Sequence, residues 1–306
     1  MTEGRRAPPS RGRLAPEAMF PAGAPGIRVR RTVLPSGLSL RVAEAGEAQA
    51  PPVLLLHGWG ASVYMWRDWF APLAAAGLRP VAVDLPGHGL SDKPAEREAY
   101  SLERQLAVMR ELIAAEGLSG AGLIAQSMGA TIALELALSQ PSAIGPLALI
   151  NPSSFGRVRV VSLAQLVSPA LVDTTLARMV PRWMVARVHR RVYAQPSRIT
   201  ARDVDEYWAP SQLPGYARAL WQYLHQFPWV RTPVDVMAAR LRGLGSAPLV
   251  MLGARDALVL DARPYAAALQ RAGAPIEVHE LPDLGHAANE EEPNVVLKLV
   301  LPFLAR

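Results

Sequence analysis

The stretch Ala125-Gln126-Ser127-Met128-Gly129 decides how this chain is read. It lies where a short apolar run, residues 122–125, gives way at once to residues 128–139, whose apolar side chains recur at three-four spacing. A strand that turns sharply into a helix pushes the corner residue outward. Small residues two before and two after let the two elements approach closely. Ser127 stands at that corner between Ala125 and Gly129. The helix N-terminus behind it offers unpaired N–H groups and a positive dipole end, suited to charge developing on a substrate oxygen. The plainer reading is a serine that caps a helix. What separates the two is whether the rest of the chain supplies partners.

Outward from the corner, strand and helix alternate. Residues 52–56 are a continuous apolar run closed by His57-Gly58, as expected of a strand buried on both faces. Similar runs occur at 80–84, 147–150, 248–252 and 276–281. Residues 27–34 and 38–43 flank Pro35-Ser36-Gly37 and read as a hairpin. Helical spacing fills 66–76, 101–116 and 290–304, with Pro293 in the first turn of the last. The pattern predicts an α/β fold, a mostly parallel central sheet with helices on both faces.

Residues 155–245 break the alternation. They lack a convincing buried strand, hold Trp183, Trp208, Trp221 and Trp229, and carry 13 arginines against five acidic residues. This stretch reads as a helical cap inserted into a core of residues 27–154 and 246–306, over the strand ends where open α/β sheets place ligands. Residues 1–26, rich in Pro, Gly, Ala and Arg, read as a mobile basic tail.

Composition excludes several classes. Of the 306 residues, half are hydrophobic and 19% are charged, so disorder is ruled out. The absence of Cys removes disulfides, thiolate metal sites and thiol nucleophiles. The net charge of +6 is concentrated in the first 31 residues and in 155–245, with no recognition motif, so no nucleic-acid partner is expected. The six histidines are scattered without metal-site spacing, and neither a metal nor another cofactor is predicted. No apolar run nears the ~20 residues of a membrane span. Arg5-Arg6 is followed by Pro8 and Pro9, not by an apolar stretch, so no signal peptide is read. A cytoplasmic protein is the default.

A nucleophilic serine needs a base, and the base an orienting carboxylate. His286 stands in Pro282-Asp283-Leu284-Gly285-His286, after the last strand run. Asp256 follows Leu252-Gly253-Ala254-Arg255, after the run before it. Both therefore leave the sheet at the edge where Ser127 does, in the chain order Ser, Asp, His. Asp261, five residues on, is a competing carboxylate. Asn151, after the strand run ending at Ile150, is a neutral amide and cannot hold that role.

With these residues in place, the sequence resembles the α/β-hydrolases over roughly residues 30–306. The resemblance rests on His57-Gly58-Trp59-Gly60, Asp84-Leu85-Pro86-Gly87-His88-Gly89-Leu90-Ser91-Asp92, the corner at Ser127, Gly253-Ala254-Arg255-Asp256 and Gly285-His286. Ala125 replaces the usual first Gly of the corner motif. The resemblance implies that the backbone N–H groups of Trp59 and Met128 form an oxyanion hole, and that His57 and His88 order loops. Relatives that attack haloalkanes or epoxides use a carboxylate nucleophile, a route Ser127 excludes. Relatives that cleave carbon–carbon bonds in diketones often show Gly-Asn-Ser-Met-Gly-Gly, from which Gln126 and Ala130 depart.

The expected function is a serine hydrolase that cleaves a small apolar ester or related acyl compound through an acyl-enzyme on Ser127. A diketone hydrolase with the same triad, a cofactor-free perhydrolase and a slow-turnover ligand receptor remain alternatives. In residues 181–193, Met184, Val188 and Val192 share one helical face, with Arg187 and Arg191 elsewhere. That pattern suits a lid with an apolar underside, a weak contact with an anionic membrane surface, or an ordinary amphipathic helix.

Overall fold

A computed structural model of the chain describes residues 14–158, 161 and 180–306. The hairpin forms as read: β1 (Arg28–Val33) and β2 (Ser39–Glu44) pair antiparallel, with Arg28 opposite Glu44. The apolar runs become β3 (Pro52–Leu56), β4 (Arg79–Val83), β5 (Gly122–Gln126) and β6 (Leu147–Ile150). Further along the chain come β7 (Arg157–Val158), β8 (Leu249–Gly253), β9 (Val259–Leu260) and β10 (Glu277–Leu281). Eight of them form one sheet in the order β1-β2-β4-β3-β5-β6-β8-β10. Only β1 and β2, and β2 and β4, pair antiparallel; the other pairs are parallel. β7 and β9 form a separate antiparallel ribbon.

The continuous apolar runs follow from two cores rather than one. Leu54, Leu56, Leu123 and Ala125 point to one face, against Val108, Met109 and Leu112 of the helix Leu102–Ala115. Val53, Leu55, Ile124 and Ala148 point to the other, against Trp66, Trp69, Phe70 and Val296. Every position of a central strand is therefore inside, which is why no polar alternation appears in the sequence. The fold is an α/β-hydrolase architecture with a mostly parallel sheet.

Four elements depart from the expectations. The last helix is broken into Ala288–Glu291 and Pro293–Leu304, with Glu292 at φ −142° and ψ 71° between them. Proline disfavours helical geometry in the residue before it and suits the first helical position, so Pro293 starts a helix instead of continuing one. The helix Ala262–Arg271 and the β7–β9 ribbon were not anticipated. The stretch 66–76 becomes a 3₁₀ turn, Val63–Trp66, and a short helix, Phe70–Ala75.

Residues 14–26 are not a free tail. Leu14 and Met19 are buried beside Ala209, and the Phe20 ring packs on Tyr64 and Phe70. Phe20 N–H donates to Glu206 at 2.8 Å, Arg202 donates to Ala18 O at 2.8 Å, and the Arg41 guanidinium donates to Phe20 O. The apolar residues Leu14, Met19 and Phe20 supply the burial that the surrounding Pro, Gly and Ala conceal. The rest of the expected tail lies outside the described residues.

Between β7 and β8 the described chain is helical: Arg182–Val192, Ala201–Ser211, Tyr216–Gln226 and Val234–Leu241. The start of the expected cap, apart from its first few residues and Val161, lies outside the described residues. These helices rest on the loops at the carboxyl ends of the strands. Trp59 Nε1 donates to Leu220 O at 3.0 Å, Tyr223 OH to Pro86 O at 3.0 Å, and His286 N–H to Val192 O at 2.8 Å. Among the described residues no helix is long and apolar enough to cross a membrane.

The helix Ser127–Ser139 crosses β3 at backbone contact. A Cβ on Gly129 would lie 2.5 Å from His57 O and 2.6 Å from Leu56 O. In an exposed helix, Gly to Ala gains about 0.8–1 kcal/mol of propensity. Here overpacking against rigid backbone, about 1–3 kcal/mol, opposes that gain. With three backbone atoms 2.5–2.9 Å from the added Cβ the cost falls at the upper end of that range, so Gly129→Ala is expected to lower stability by about 1–2 kcal/mol, read as a lower urea midpoint at unchanged slope. An unchanged or higher midpoint would contradict the contact.

Candidate active site

Ser127 ends the turn from β5 into its helix with φ +52°, the left-handed region that L-residues other than Asn and Asp seldom adopt. Such strain persists only where the surroundings hold it, and it places the side chain on the cavity side of the corner. The cavity has a volume of about 560 Å³ and is lined by Ser127, His286, Trp59, Met184, Leu220 and Trp229 among others. Gly58 allows the facing loop to close in: a Cβ there would meet Gln126 Oε1 at 2.2 Å and Ser127 Cβ at 3.1 Å. Gly60 serves a different need. Its φ is +75° and a Cβ would meet only Leu220 Cδ1 at 4.0 Å, so backbone conformation and not close approach requires glycine.

His286 and Asp256 meet. His286 Nδ1 lies 2.7 Å from Asp256 Oδ2, while Asp256 Oδ1 accepts N–H bonds from Leu258 at 2.7 Å and Val259 at 3.0 Å. Both Asp256 oxygens are thus committed, and the imidazole is held in one orientation. Asp261 does not take part. It sits at the start of the helix Ala262–Arg271 and pairs with exposed Arg157 at 2.8 Å. Trp59 follows Gly58 on the loop packed against Ser127, and Met128 follows Ser127 in the first helical turn. Neither N–H donates to an acceptor among the described residues.

Two side-chain amides hold the histidine loop. Gln126 Nε2 donates to His286 O at 2.9 Å. Asn151 Nδ2 donates to Gly285 O at 3.0 Å and His286 O at 2.9 Å, and its Oδ1 accepts from Gly253 N–H at 2.8 Å. Asn151 adopts φ +45°, which asparagine tolerates better than most residues. Sequence reasoning weighed Asn151 only as a failed acid and Gln126 only as a departure from a motif. Their position at the ends of adjacent strands was the signal available. Glu291 adds a third tie, accepting from Gly285 N–H at 2.9 Å, Ala194 N–H at 3.1 Å and Gln195 N–H at 2.8 Å.

The other histidines differ from one another. His57 Nε2 accepts from Leu85 N–H at 3.0 Å, so its Nδ1 carries the proton toward Gly58 O at 2.8 Å. His88 stacks edge-on against it with ring centroids 5.0 Å apart and reaches Pro86 O through Nδ1 at 3.0 Å. His189, which has no motif around it, is buried on the cavity wall. Met184, Val188 and Val192 line the cavity from the same helix, so the expected apolar face is turned toward Ser127's cavity. In and behind that wall Arg67 pairs with Asp203 at 3.3 Å and with the lining residue Glu290, and Tyr64 and Tyr207 donate to those carboxylates at 2.6 Å each. Among the described residues no group of three or more His, Asp or Glu is arranged to hold a metal ion.

Residues 53–299 match the α/β hydrolase family. The chain belongs to that family. A haloalkane dehalogenase of Mycolicibacterium paratuberculosis is 36% identical over 114 residues, 37% of this chain and 38% of that protein. Epoxide hydrolase A of Mycobacterium tuberculosis is 33% identical over 135 residues, covering 44% of this chain and 42% of the relative. These alignments span well under half of either relative. The solved 2-hydroxy-6-oxo-6-phenylhexa-2,4-dienoate hydrolase of Rhodococcus superposes with a TM-score of 0.71 at 20% identity, over 92% of this chain and all of that one. That similarity concerns the fold.

Two outcomes test the site. Asn151→Gly keeps the backbone geometry but removes three hydrogen bonds at buried groups, and is expected to cost about 2–4 kcal/mol in urea unfolding. A loss under 1 kcal/mol would show that the amide is not a clamp. The second outcome concerns acid. Burial pushes His57 and His88 below their ordinary value of 6.5 and takes His189 to about 4. Below pH 6.5 the unfolded chain therefore binds protons that the folded chain refuses. Stability falls with acid by up to about 1.4 kcal/mol per pH unit for each histidine. Burial raises Glu206 and Glu290, which act in the opposite sense as the pH drops through their values. Unfolding free energy measured from pH 7 to 5 is expected to decline, and a flat profile would contradict the buried neutral imidazoles.

Proposed function

We propose that this member of the α/β hydrolase family is a serine hydrolase that cleaves a neutral, apolar carboxylic ester or related acyl compound. The observation that carries the reading is the His286–Asp256 pair, 2.7 Å apart, opening on the same apolar-walled cavity as the outward serine of a strained strand-to-helix corner. In the proposed mechanism Ser127 Oγ attacks the acyl carbon while His286 Nε2 takes its proton. Asp256 stabilises the imidazolium, and the Trp59 and Met128 N–H groups receive the developing oxyanion. His286 then protonates the leaving alcohol, and water releases the acyl group from Ser127.

The named relatives act on haloalkanes and epoxides, and bond chemistry argues against carrying those substrates over. A serine oxygen that displaced halide or opened an epoxide would be left in an ether, which water activated by His286 does not cleave. An acyl carbon leaves an ester instead, which the same water can hydrolyse. Carbon–carbon cleavage of an acidic diketone is the second reading, favoured only by fold likeness to the dienoate hydrolase. Against it stands the cavity wall, which among the described residues includes neither Arg nor Lys to meet a substrate carboxylate.

Ser127→Ala and His286→Ala are each expected to lower kcat by roughly 10⁴–10⁶, with the double variant hardly worse, because the residues act as a unit. A fluorophosphonate should add mass at Ser127 alone, and labelling that survives Ser127→Ala would overturn the assignment. Asp256→Asn should cost several orders of magnitude and Asp261→Asn little. The reverse order would overturn the choice of acid.

A further inference from the structure

Among the described residues, and apart from the proposed catalytic Ser127 and His286, the polar groups on the cavity wall are, with two exceptions, already bonded. Gln126 donates to His286 O, Tyr207 to Glu290, Ser211 to Trp208 O and Tyr216 to Gly60 O. The exceptions are the indole N–H of Trp221 and the imidazole of His189, both of whose ring nitrogens are buried without a partner among the described residues. His189 is 5% exposed, and its ring lies against Tyr207 at 4.3 Å and Tyr193 at 5.2 Å between centroids. A buried imidazole with neither nitrogen bonded is costly, and polar groups left so in native structures commonly await a ligand or water.

The surroundings define what that ligand is. Burial takes His189 to about 4, so at neutral pH the ring is uncharged and offers one donor and one acceptor. The nearby cation, Arg67, is committed to Asp203 and Glu290, and no Arg or Lys of the described residues reaches the cavity wall. A carboxylate or phosphate would find no free counter-charge there and would meet the Glu290 carboxylate on the same wall, with Asp203 nearby. A hydroxyl is the small neutral group that can either accept from the ring N–H or donate to its bare nitrogen, whichever tautomer faces it.

We propose that His189 binds a hydroxyl carried on the apolar chain of the substrate, so that the enzyme selects hydroxylated esters over unsubstituted ones. This rests on the serine hydrolase reading for its substrate class. His189 is a specificity residue in it, with no part in the chemical step.

The test uses p-nitrophenyl octanoate and isomers with one hydroxyl moved along the chain. The quantity read is the ratio of kcat/KM for each hydroxylated ester to that for the parent, taken within one preparation and so independent of the fraction folded. In the wild type one or two positions should exceed the parent. His189→Leu should lower that ratio about tenfold, His189→Gln should retain part of it, and Trp221→Phe should leave it in place. A ratio unchanged by His189→Leu, or lost instead in Trp221→Phe, overturns the proposal, as does a wild type with no preferred position.

Absence of turnover with every ester would count against the hydrolase reading alone. In that case Ser127→Ala protein is titrated with methyl octanoate and its hydroxylated forms, read by the fluorescence of Trp59, Trp221 and Trp229 on the cavity wall. Tighter binding of one hydroxylated form, lost on adding His189→Leu, supports the proposal. Equal binding of all forms overturns it.

Discussion

The passage of one helix across one strand at backbone contact governs most of what this molecule contains. Gly129 lets Ser127–Ser139 lie directly on the carbonyls of Leu56 and His57, and Gly58 lets the next loop close over the same corner. Side chains at either place would lift the helix from the sheet. The serine would then leave the loop that carries Trp59, and Gln126 would leave the carbonyl of His286. Packed interiors respond to such displacements by repacking rather than by yielding smoothly. Two missing methyl groups thus hold three separate strand ends in register.

That register is shared among groups of unlike character. Asp256 grips the imidazole of His286 from one side, while Gln126 and Asn151 grip its main-chain carbonyl from the other. The ring and backbone of one residue are therefore fixed by β5, β6 and the loop after β8 together. Val192 and Glu291 extend the hold to the helical insert, through the N–H groups of His286 and of Gly285. The wall of the cavity and the histidine loop are consequently one bonded unit, with the buried Arg67 cluster as its foundation.

The sheet was legible because its central strands are buried on both faces, which leaves an unbroken apolar signature. The corner was legible because strand and helix signals meet at Ser127 without a loop between them. His286 and Asp256 followed from their places after strands, and Asp261 separated from Asp256 only once Arg157 was seen to hold it. Other features had no local signature. Whether His189 faces solvent or Tyr207 depends on what covers its helix, and periodicity places Met184 and Val188 on a face without saying what that face meets. Asn151 carries no motif of its own. Leu14, Met19 and Phe20 are three apolar residues scattered among Pro, Gly and Ala, and only their partners elsewhere in the chain reveal them as packed.

Those partners also bear on the sequence of events during synthesis. Phe20 N–H bonds to Glu206, a residue 186 positions later, and Arg202 reaches back to Ala18 O. A ribosome makes residues 14–26 before Glu206 and Arg202, and must extend the chain through most of the sheet before those partners exist. Until then Met19 has no Ala209 to cover it, and Phe20 has the Arg41 guanidinium and the rings of Tyr64 and Phe70 but not Glu206. Residues 14–26 therefore cannot complete their docking until residues 202–209 have been made. They form a clasp that joins one segment to an insert translated long afterward.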